Sequence, residues 1–336
     1  MAYKLAVLPG DGVGPEVIDA TLKVLKATDI DFDFVFGEVG EEAFKKYGSQ
    51  VPEHTLEIIK ECKVVLYGAA TTPPGAGSYR SVAVTIRSTF DLYANIRPIK
   101  ARKGVPCIKD NIDFVIVREN TEGAYAGIEY DVSDDTSIGV RVITEKKSER
   151  IIRFAFELAK REMRKSVTAA HKANILKSTD GRFKKVFERV SREYPEIDSW
   201  DIYIDACGMQ IIRKPEIFDV IVTPNLLGDI ISDVAAATVG GLGIAPSGNI
   251  GEEYAMFEPV HGSAPKYAGK NVVNPTATIL SSVMMLRHIG EMTWADKIET
   301  AVNEVLAEGK KVTYDLGGTA KTYEFAEEVV KKLQER

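Results

Sequence analysis

Apolar and polar positions along this chain switch between a period near two and one near 3.6, and each switch marks an element. Residues 3–8 form an apolar run. Pro9-Gly10-Asp11-Gly12-Val13-Gly14-Pro15-Glu16 follows, and then Val17, Ile18, Ala20, Leu22, Val24 and Leu25 recur at helical spacing. Strand, glycine turn and helix in that order open an α/β unit. The pattern next predicts a strand over 32–36, helices near 41–47 and 54–62, and a buried strand at Val64, Val65 and Leu66. The loop 68–77 follows that strand, at the end where open α/β sheets bind ligands. Residues 130–149 alternate through Ile138, Val140 and Val142, which predicts antiparallel strands in an arm outside the main sheet. A helix over 148–161 gathers Ile151, Ile152, Phe154, Ala155 and Leu158 on one side. Residues 167–170, 201–205 and 220–222 read as further strands, the first leading to His171 and Lys172. Helices over 276–289 and 323–334 complete the pattern.

The most specific chemistry lies in 218–275. Asn225 and Gly228 break the apolar run of Val220, Ile221 and Val222, and Asp229 is expected to cap a helix that continues through Asp233. The two aspartates are then one turn apart, where like charges repel by about 0.2–0.5 kcal/mol. A cation reverses that sign, and carboxylate oxygens suit Mg²⁺ or Mn²⁺. Alone, the pair reads more simply as a solvated helix face. Arg87, Arg97 and Arg118 each stand beside a buried run, as candidates for two-pronged carboxylate clamps or for ordinary ion pairs. The turn GDGVGPE lacks the final Gly or Ala of the dinucleotide fingerprint, which argues against an ordinary Rossmann domain.

Composition narrows the class. A chain of 336 residues has room for two domains, and 45% apolar with 27% charged residues is the balance of a soluble globular protein. The net charge of −6 argues against a nucleic-acid surface. Cys62, Cys107 and Cys207 are too scattered for a disulfide framework or a zinc site. The start shows no signal-peptide pattern, and no apolar run approaches the ~20 residues of a membrane span. The expected location is the cytoplasm, with no membrane or nucleic-acid partner.

Taken in order, GDGVGPEV, DLYANIRP, VRENTEGAYAGIEY, HKANILKSTDG, NLLGDIISD, GGLGIAPSGNIG and EPVHGSAPKYAGK resemble the β-decarboxylating dehydrogenases, that is, the isocitrate, homoisocitrate and 3-isopropylmalate dehydrogenases. The resemblance covers nearly the whole chain. It implies a two-domain α/β fold of that family's own type, distinct from the Rossmann fold, working as a homodimer with a β arm that clasps the partner. One domain is expected from about 1–97 plus 244–336, the other from 98–243. The substrate implied is a 2-hydroxy acid with a carboxylate on the adjacent carbon. Asp229, Asp233 and Asp205 match the metal ligands, for Mg²⁺ or Mn²⁺. Arg87, Arg97 and Arg118, with Ser81, match the substrate-binding set. Lys172 matches the base that takes the hydroxyl proton, and Tyr125 the acid that protonates the enol after CO₂ leaves. In the family the residues matching Lys172 and Asp205 reach the site from the neighbouring subunit.

The same resemblance assigns Thr72, Asn174, His261, Gly262, Lys266, Tyr267, Asn274, Tyr314 and Lys214 to the cofactor. Lys266-Tyr267 matches the pair of NADP-dependent isocitrate dehydrogenases, where NAD-dependent members place an aspartate instead of the lysine. A 2′-phosphate attracts a lysine and repels an acid. Gly318, where bacterial NADP enzymes carry an arginine, departs from that pattern. Ser81 resembles isocitrate enzymes, while Ala83 matches neither the asparagine of those enzymes nor the leucine common in isopropylmalate enzymes. The expectation is an NADP-dependent isocitrate dehydrogenase, with homoisocitrate and 3-isopropylmalate dehydrogenases as alternatives. A non-catalytic regulatory subunit of the same fold is the rival class. It would have lost catalytic groups, whereas Tyr125, Lys172, Asp205, Asp229 and Asp233 are all present.

Overall fold

The computed structural model describes residues 2–73 and 79–335, so residues 74–77 of the expected glycine loop, and Ser78, lie outside the described residues. In chain order the elements are β1 (Tyr3–Gly10), α1 (Gly14–Leu25), β2 (Phe32–Phe36), α2 (Glu41–Tyr47), α3 (Glu53–Cys62), β3 (Val64–Ala69) and α4 (Val82–Thr89). Then come β4 (Ala94–Lys100), β5 (Asp113–Glu119), β6 (Gly123–Ser133), β7 (Thr136–Val142), α5 (Glu145–Arg161), β8 (Ser166–His171), α6 (Thr179–Val190), β9 (Asp198–Tyr203), α7 (Ile204–Arg213), β10 (Val220–Thr223) and α8 (Asn225–Ala237). The chain closes with β11 (Pro246–Ile250), β12 (Ala255–Pro259), α9 (Thr276–His288), α10 (Met292–Glu308) and α11 (Thr322–Gln334).

The chain divides into two compact units, residues 1–92, 101–110 and 239–336 in one, 93–100 and 111–238 in the other. In the first unit the strands run β2-β1-β3-β12-β11, parallel except for the antiparallel β11–β12 pair. Its larger core gathers apolar side chains of α1, α9, α10 and α11, including Leu25, Ile279, Leu286, Val302, Leu306 and Phe325. Helix α9 is buried nearly all round, Ile279, Leu280, Val283 and Met285 among its buried residues, and its buried Ser281 and Ser282 hydroxyls donate to backbone carbonyls of the helix. A second cluster packs Leu8, Ile59, Tyr67, Val82 and Ile86 together.

In the second unit the order is β4-β5-β10-β8-β9, with β4–β5 antiparallel and the rest parallel. Antiparallel pairs in both units depart from the all-parallel Rossmann order, as the sequence leads one to expect. β6 and β7 form a separate two-stranded antiparallel ribbon, the expected arm. Ile128, Tyr130, Val132 and Ile138 of the ribbon are exposed. Its two ends are pinned by Glu122, which accepts hydrogen bonds from Thr144 N and Oγ1, both at 2.9 Å.

The units divide the chain differently from the expected 1–97 plus 244–336 and 98–243. β4 pairs with β5 along seven residues, from Ala94↔Glu119 to Lys100↔Asp113, which ties 93–100 to the second unit. Segment 101–110 belongs with the first, since Val105 joins its core and Arg102 pairs with Glu299 of α10 at 2.9 Å. Several elements also differ from expectation. α8 begins at Asn225 after Pro224, so Asp229 lies in its second turn and caps nothing. β9 stops at Tyr203, and Asp205 stands in the first turn of α7. Helices α7 and α10 and strands β11 and β12 go beyond the predicted elements altogether.

Candidate active site

Three elements of the second unit set one cluster. Arg118 is the last residue but one of β5, and its register partners are Asn95 on β4 and Thr223 on β10. Arg118 is 1% exposed, and its Nε and Nη2 both donate to Asn225 Oδ1, at 3.1 and 2.7 Å. Its Nη1 donates to Asp229 Oδ1. The stem lies against Gly228, where an added Cβ would come within 2.7 Å of Arg118 Cγ and 2.9 Å of Thr223 Cγ2. Glycine at 228 is therefore what lets the arginine pack under α8. Arg97 is held by Asn95 Oδ1 at 2.9 Å and Ser232 Oγ at 2.6 Å, and its guanidinium reaches Asp233 at 3.3 Å and Asp229 at 3.6 Å.

Tyr125, on β6, donates its hydroxyl to Asp229 Oδ2 at 2.5 Å, and its ring lies 5.1 Å from the Arg118 guanidinium. Burial, and then the hydrogen bond to Asp229, push the phenol pKa up, so it keeps its proton through the neutral range. Burial raises Asp233 as well; the Asp229 charge adds to that, and Arg97 opposes it. One helix face thus gathers Asp229, Asp233, two buried arginines and a protonated phenol. Asn95 and Ser232 escape the sequence reading but had signals, and Asn225 enters it only as a break in the apolar run. Residues 95 and 97 share a strand face, and 229 and 232 share a helix face.

Lys172 follows β8 in the same unit. Its Nζ donates to Asp205 Oδ1 at 2.6 Å, and the hydrogen bond from Lys172 holds the exposed Asp205 carboxylate below its usual pKa. Among the described residues no group of three or more His, Cys, Asp or Glu is arranged to hold a metal ion, so within one chain Asp205 does not join Asp229 and Asp233. Asn174 and Lys214 lie exposed in this unit.

The remaining residues belong to the first unit. Arg87 is buried and donates through Nη2 to Glu258 Oε1 at 2.6 Å. Ser81 sits at the start of α4 without capping it, and Thr72 is exposed. The turn at Gly12 serves the loop that carries His261. Val13 N donates to Ser263 O at 2.9 Å, and a Cβ at Gly12 would meet that carbonyl at 2.0 Å. His261 Nδ1 lies 3.0 Å from Gly262 O, and burial lowers the imidazole pKa. Lys266 and Lys270 stand over the Tyr267 ring, at 5.2 and 5.8 Å. Tyr267 packs on Tyr314 with ring centroids 5.9 Å apart, and the neighbouring Tyr267 side chain raises the Tyr314 pKa. The Asn274 side chain closes the turn that leads into α9, accepting from Thr276 N at 3.0 Å and Oγ1 at 2.6 Å, and donates to Asp315 at 3.0 Å.

The donor set on α8 fits a hard divalent cation. Asp229 and Asp233 are both carboxylates one turn apart, and Asp233 bears the electrostatic strain that a cation would relieve. Asp229 and Asp233 are the residues of this chain's α8 that would hold it.

A family model described as "Isocitrate/isopropylmalate dehydrogenase" matches residues 4–329. The chain is 56% identical to the 3-isopropylmalate/3-methylmalate dehydrogenase of Methanocaldococcus jannaschii, with 99% of each covered. It is 48% identical to the isocitrate dehydrogenase [NADP] of Thermus thermophilus, over 98% of this chain and 67% of that protein. Its structure superposes on a crystal structure of isocitrate dehydrogenase from Methylococcus capsulatus with a TM-score of 0.96, at 45% identity and 99% coverage of both. Proteins of this kind work with a divalent metal and a nicotinamide cofactor. Among the described residues no helix is long and apolar enough to cross a membrane. With its ordered motifs, its strand order and the cluster on α8, the chain belongs to the isocitrate/isopropylmalate dehydrogenase family, as an oxidatively decarboxylating dehydrogenase.

Proposed function

We propose that the protein oxidatively decarboxylates a malate bearing a small apolar group on C3, of the 3-isopropylmalate or 3-methylmalate class, and passes the hydride to NADP. The observation that carries the reaction type is the convergence of Arg97, Arg118 and Tyr125 on Asp229 and Asp233. Two guanidiniums that never lose their charge bind and orient carboxylates. Tyr125, kept protonated, delivers a proton to C3 once the C3–carboxylate bond has broken and its electrons have formed the enol. Lys172 accepts the C2 hydroxyl proton as C2 gives up its hydride. It does so, on this reading, in the site of a second copy of the chain, together with Asp205. A bound Mg²⁺ or Mn²⁺ supplies Lewis acidity towards the hydroxyl and the developing enolate.

The substrate differs from the isocitrate expected above, and two observations favour the change. Helix α4 turns Val82 and Ile86 into the core and leaves Ala83 and Val84 half-buried, with Ser81 and Thr85 as its half-buried polar groups. Thr85 Oγ1 is already engaged with Ser81 O and Gln50. A third carboxylate would be left to one serine hydroxyl, whereas a branched apolar group matches the helix. The M. jannaschii relative named for apolar-substituted malates points the same way. Isocitrate, with Ser81 donating to its extra carboxylate, is the second reading, supported by the T. thermophilus relative. For the cofactor, the Lys266, Lys270, Tyr267 and Tyr314 group offers two cations and two hydroxyls, which favours a 2′-phosphate.

Initial rates with Mg²⁺ decide this, crossing 3-isopropylmalate, 3-methylmalate, isocitrate and homoisocitrate with NAD⁺ and NADP⁺. The expected outcome is the highest kcat/KM for an alkylmalate with NADP⁺. A higher value for isocitrate overturns the substrate reading, and a preference for NAD⁺ overturns the cofactor reading.

A further inference from the structure

Lys172 is held by its backbone, not by its side chain. Its N–H donates to Asp180 Oδ2 at 2.7 Å, and its carbonyl accepts from Ile175 N at 3.1 Å and Leu176 N at 2.9 Å. The next N–H, of Ala173, donates to His171 Nδ1 at 3.2 Å, which leaves the His171 proton on Nε2, 3.0 Å from Asp201. Lys184 also bonds Asp201, at 2.8 Å. The ammonium group, by contrast, has an exposed partner. Side-chain exposure is 28% for Lys172 and 67% for Asp205. The main chain is fixed while the head is able to exchange partners.

Asp180 is the residue on which this arrangement turns. It lies in the first turn of α6 and is 0% exposed, and its second oxygen accepts from Arg141 Nη1. Arg141 belongs to β7, a strand of the arm. One fully buried carboxylate thus ties the arm, the start of α6 and the Lys172 backbone together. A buried carboxylate is stable there because it is paired and bonded through both oxygens, and removing either partner leaves a buried group unsatisfied.

We propose that Asp180 is a positioning residue for Lys172, passing the seating of the β6–β7 arm through Arg141 to the backbone that carries the ammonium group. The proposal rests on the reading of Lys172 as the base.

The test is steady-state kinetics of the full chain with Mg²⁺ and its best substrate, alongside thermal melts, for Asp180→Asn, Arg141→Gln, Arg141→Lys, the Asp180→Asn/Arg141→Gln double variant and Lys172→Met. Asp180→Asn is expected to lower kcat by about 10- to 100-fold, the effect of misplacing a reacting group, with the cofactor KM changed less than about twofold. Arg141→Gln is expected to lower kcat in the same way, Arg141→Lys to restore much of it, and the double variant to be no worse than Asp180→Asn alone. Folded Asp180→Asn with kcat within about twofold of the parent overturns the positioning role. Additive losses in the double variant overturn the link to the arm. Should Asp180→Asn fail to fold, Arg141→Gln against Arg141→Lys decides, since equal kcat in both removes the link. Lys172→Met with the parent's kcat overturns the reading of Lys172 and this proposal with it, whatever Asp180 does.

Discussion

Tyr125 is a phenol whose pKa is raised by burial and by its hydrogen bond to Asp229, so it is a poor base and a retained acid at neutral pH. Tyr125→Phe removes the proton while keeping the ring beside Arg118. Turnover is expected to fall by about 10²–10⁴-fold, with the KM of the cofactor little changed. Steady-state kinetics check it, and an unchanged kcat would mean the proton comes from elsewhere. Gly228 acts one step removed. Its missing Cβ is the space that the Arg118 stem fills, with 2.7 Å to Cγ and 2.8 Å to Cβ. Gly228→Ala is expected to cost about 1–3 kcal/mol, as overpacking does, and to raise the substrate KM by displacing the guanidinium. A melt with the parent's midpoint and unchanged KM would contradict this. Neither role is visible in the residue type alone. NLLGD at the start of a helix announces the aspartates, but only the packing shows that its glycine serves an arginine on another strand.

Two ties hold elements in register. Glu122 pins the base of the arm through Thr144, and burial raises its pKa. Glu122→Ala leaves the Thr144 N–H and hydroxyl without that acceptor, at a cost of about 1–3 kcal/mol, and amide exchange is expected to quicken across 123–142. Exchange unchanged in that segment would show the arm to be held elsewhere. Segment 101–110 is tied by Glu299, which takes Arg102 at 2.9 Å and Arg287 at 2.6 Å. Burial works to raise the Glu299 pKa, but Arg102 and Arg287 overcome it and hold the group at about 2. Because the folded pKa is depressed, the stabilisation is complete above the unfolded value near 4.5 and lost as the pH falls towards 2. Glu299→Gln is expected to cost on the order of 3 kcal/mol at pH 7, with the difference from the parent shrinking below pH 4.5; a constant difference across that range would contradict it. Most element positions were legible, because apolar periodicity reports burial directly. Helix α10 went unread, although Ile298, Ala301, Val302, Val305 and Leu306 carry the helical spacing that marks it. The starts of α7 and α8 were not legible. Pro224 places the start of α8 four residues before the aspartate that looked like its cap, and Asp205 sits past the strand it was expected to end.

Within one chain the candidate chemistry is divided. Tyr125, Asp229 and Asp233 form one group, Lys172 and Asp205 another, and no described set of three acids is arranged for a metal. The proposed completion of the site by a second copy would account for that division. Co-expressed chains carrying Lys172→Met and Asp229→Asn would then form hybrid dimers with one whole site. Activity in the mixture is expected to recover to about a quarter of the parent's, from half the dimers with half their sites intact. Recovery no greater than the sum of the two variants alone would contradict sharing. The ordered motifs made the family legible from end to end, because each motif carries a chemical role. The substrate was less so, since it depends on a few side chains of α4 whose types fit no single pattern. The measurement that tests the account most directly is CO₂ release and nicotinamide reduction followed in the same reaction, with and without Mg²⁺. The account requires one CO₂ for each nicotinamide reduced, and loss of both when the metal is chelated. Reduction without CO₂, or turnover indifferent to the metal, would contradict it.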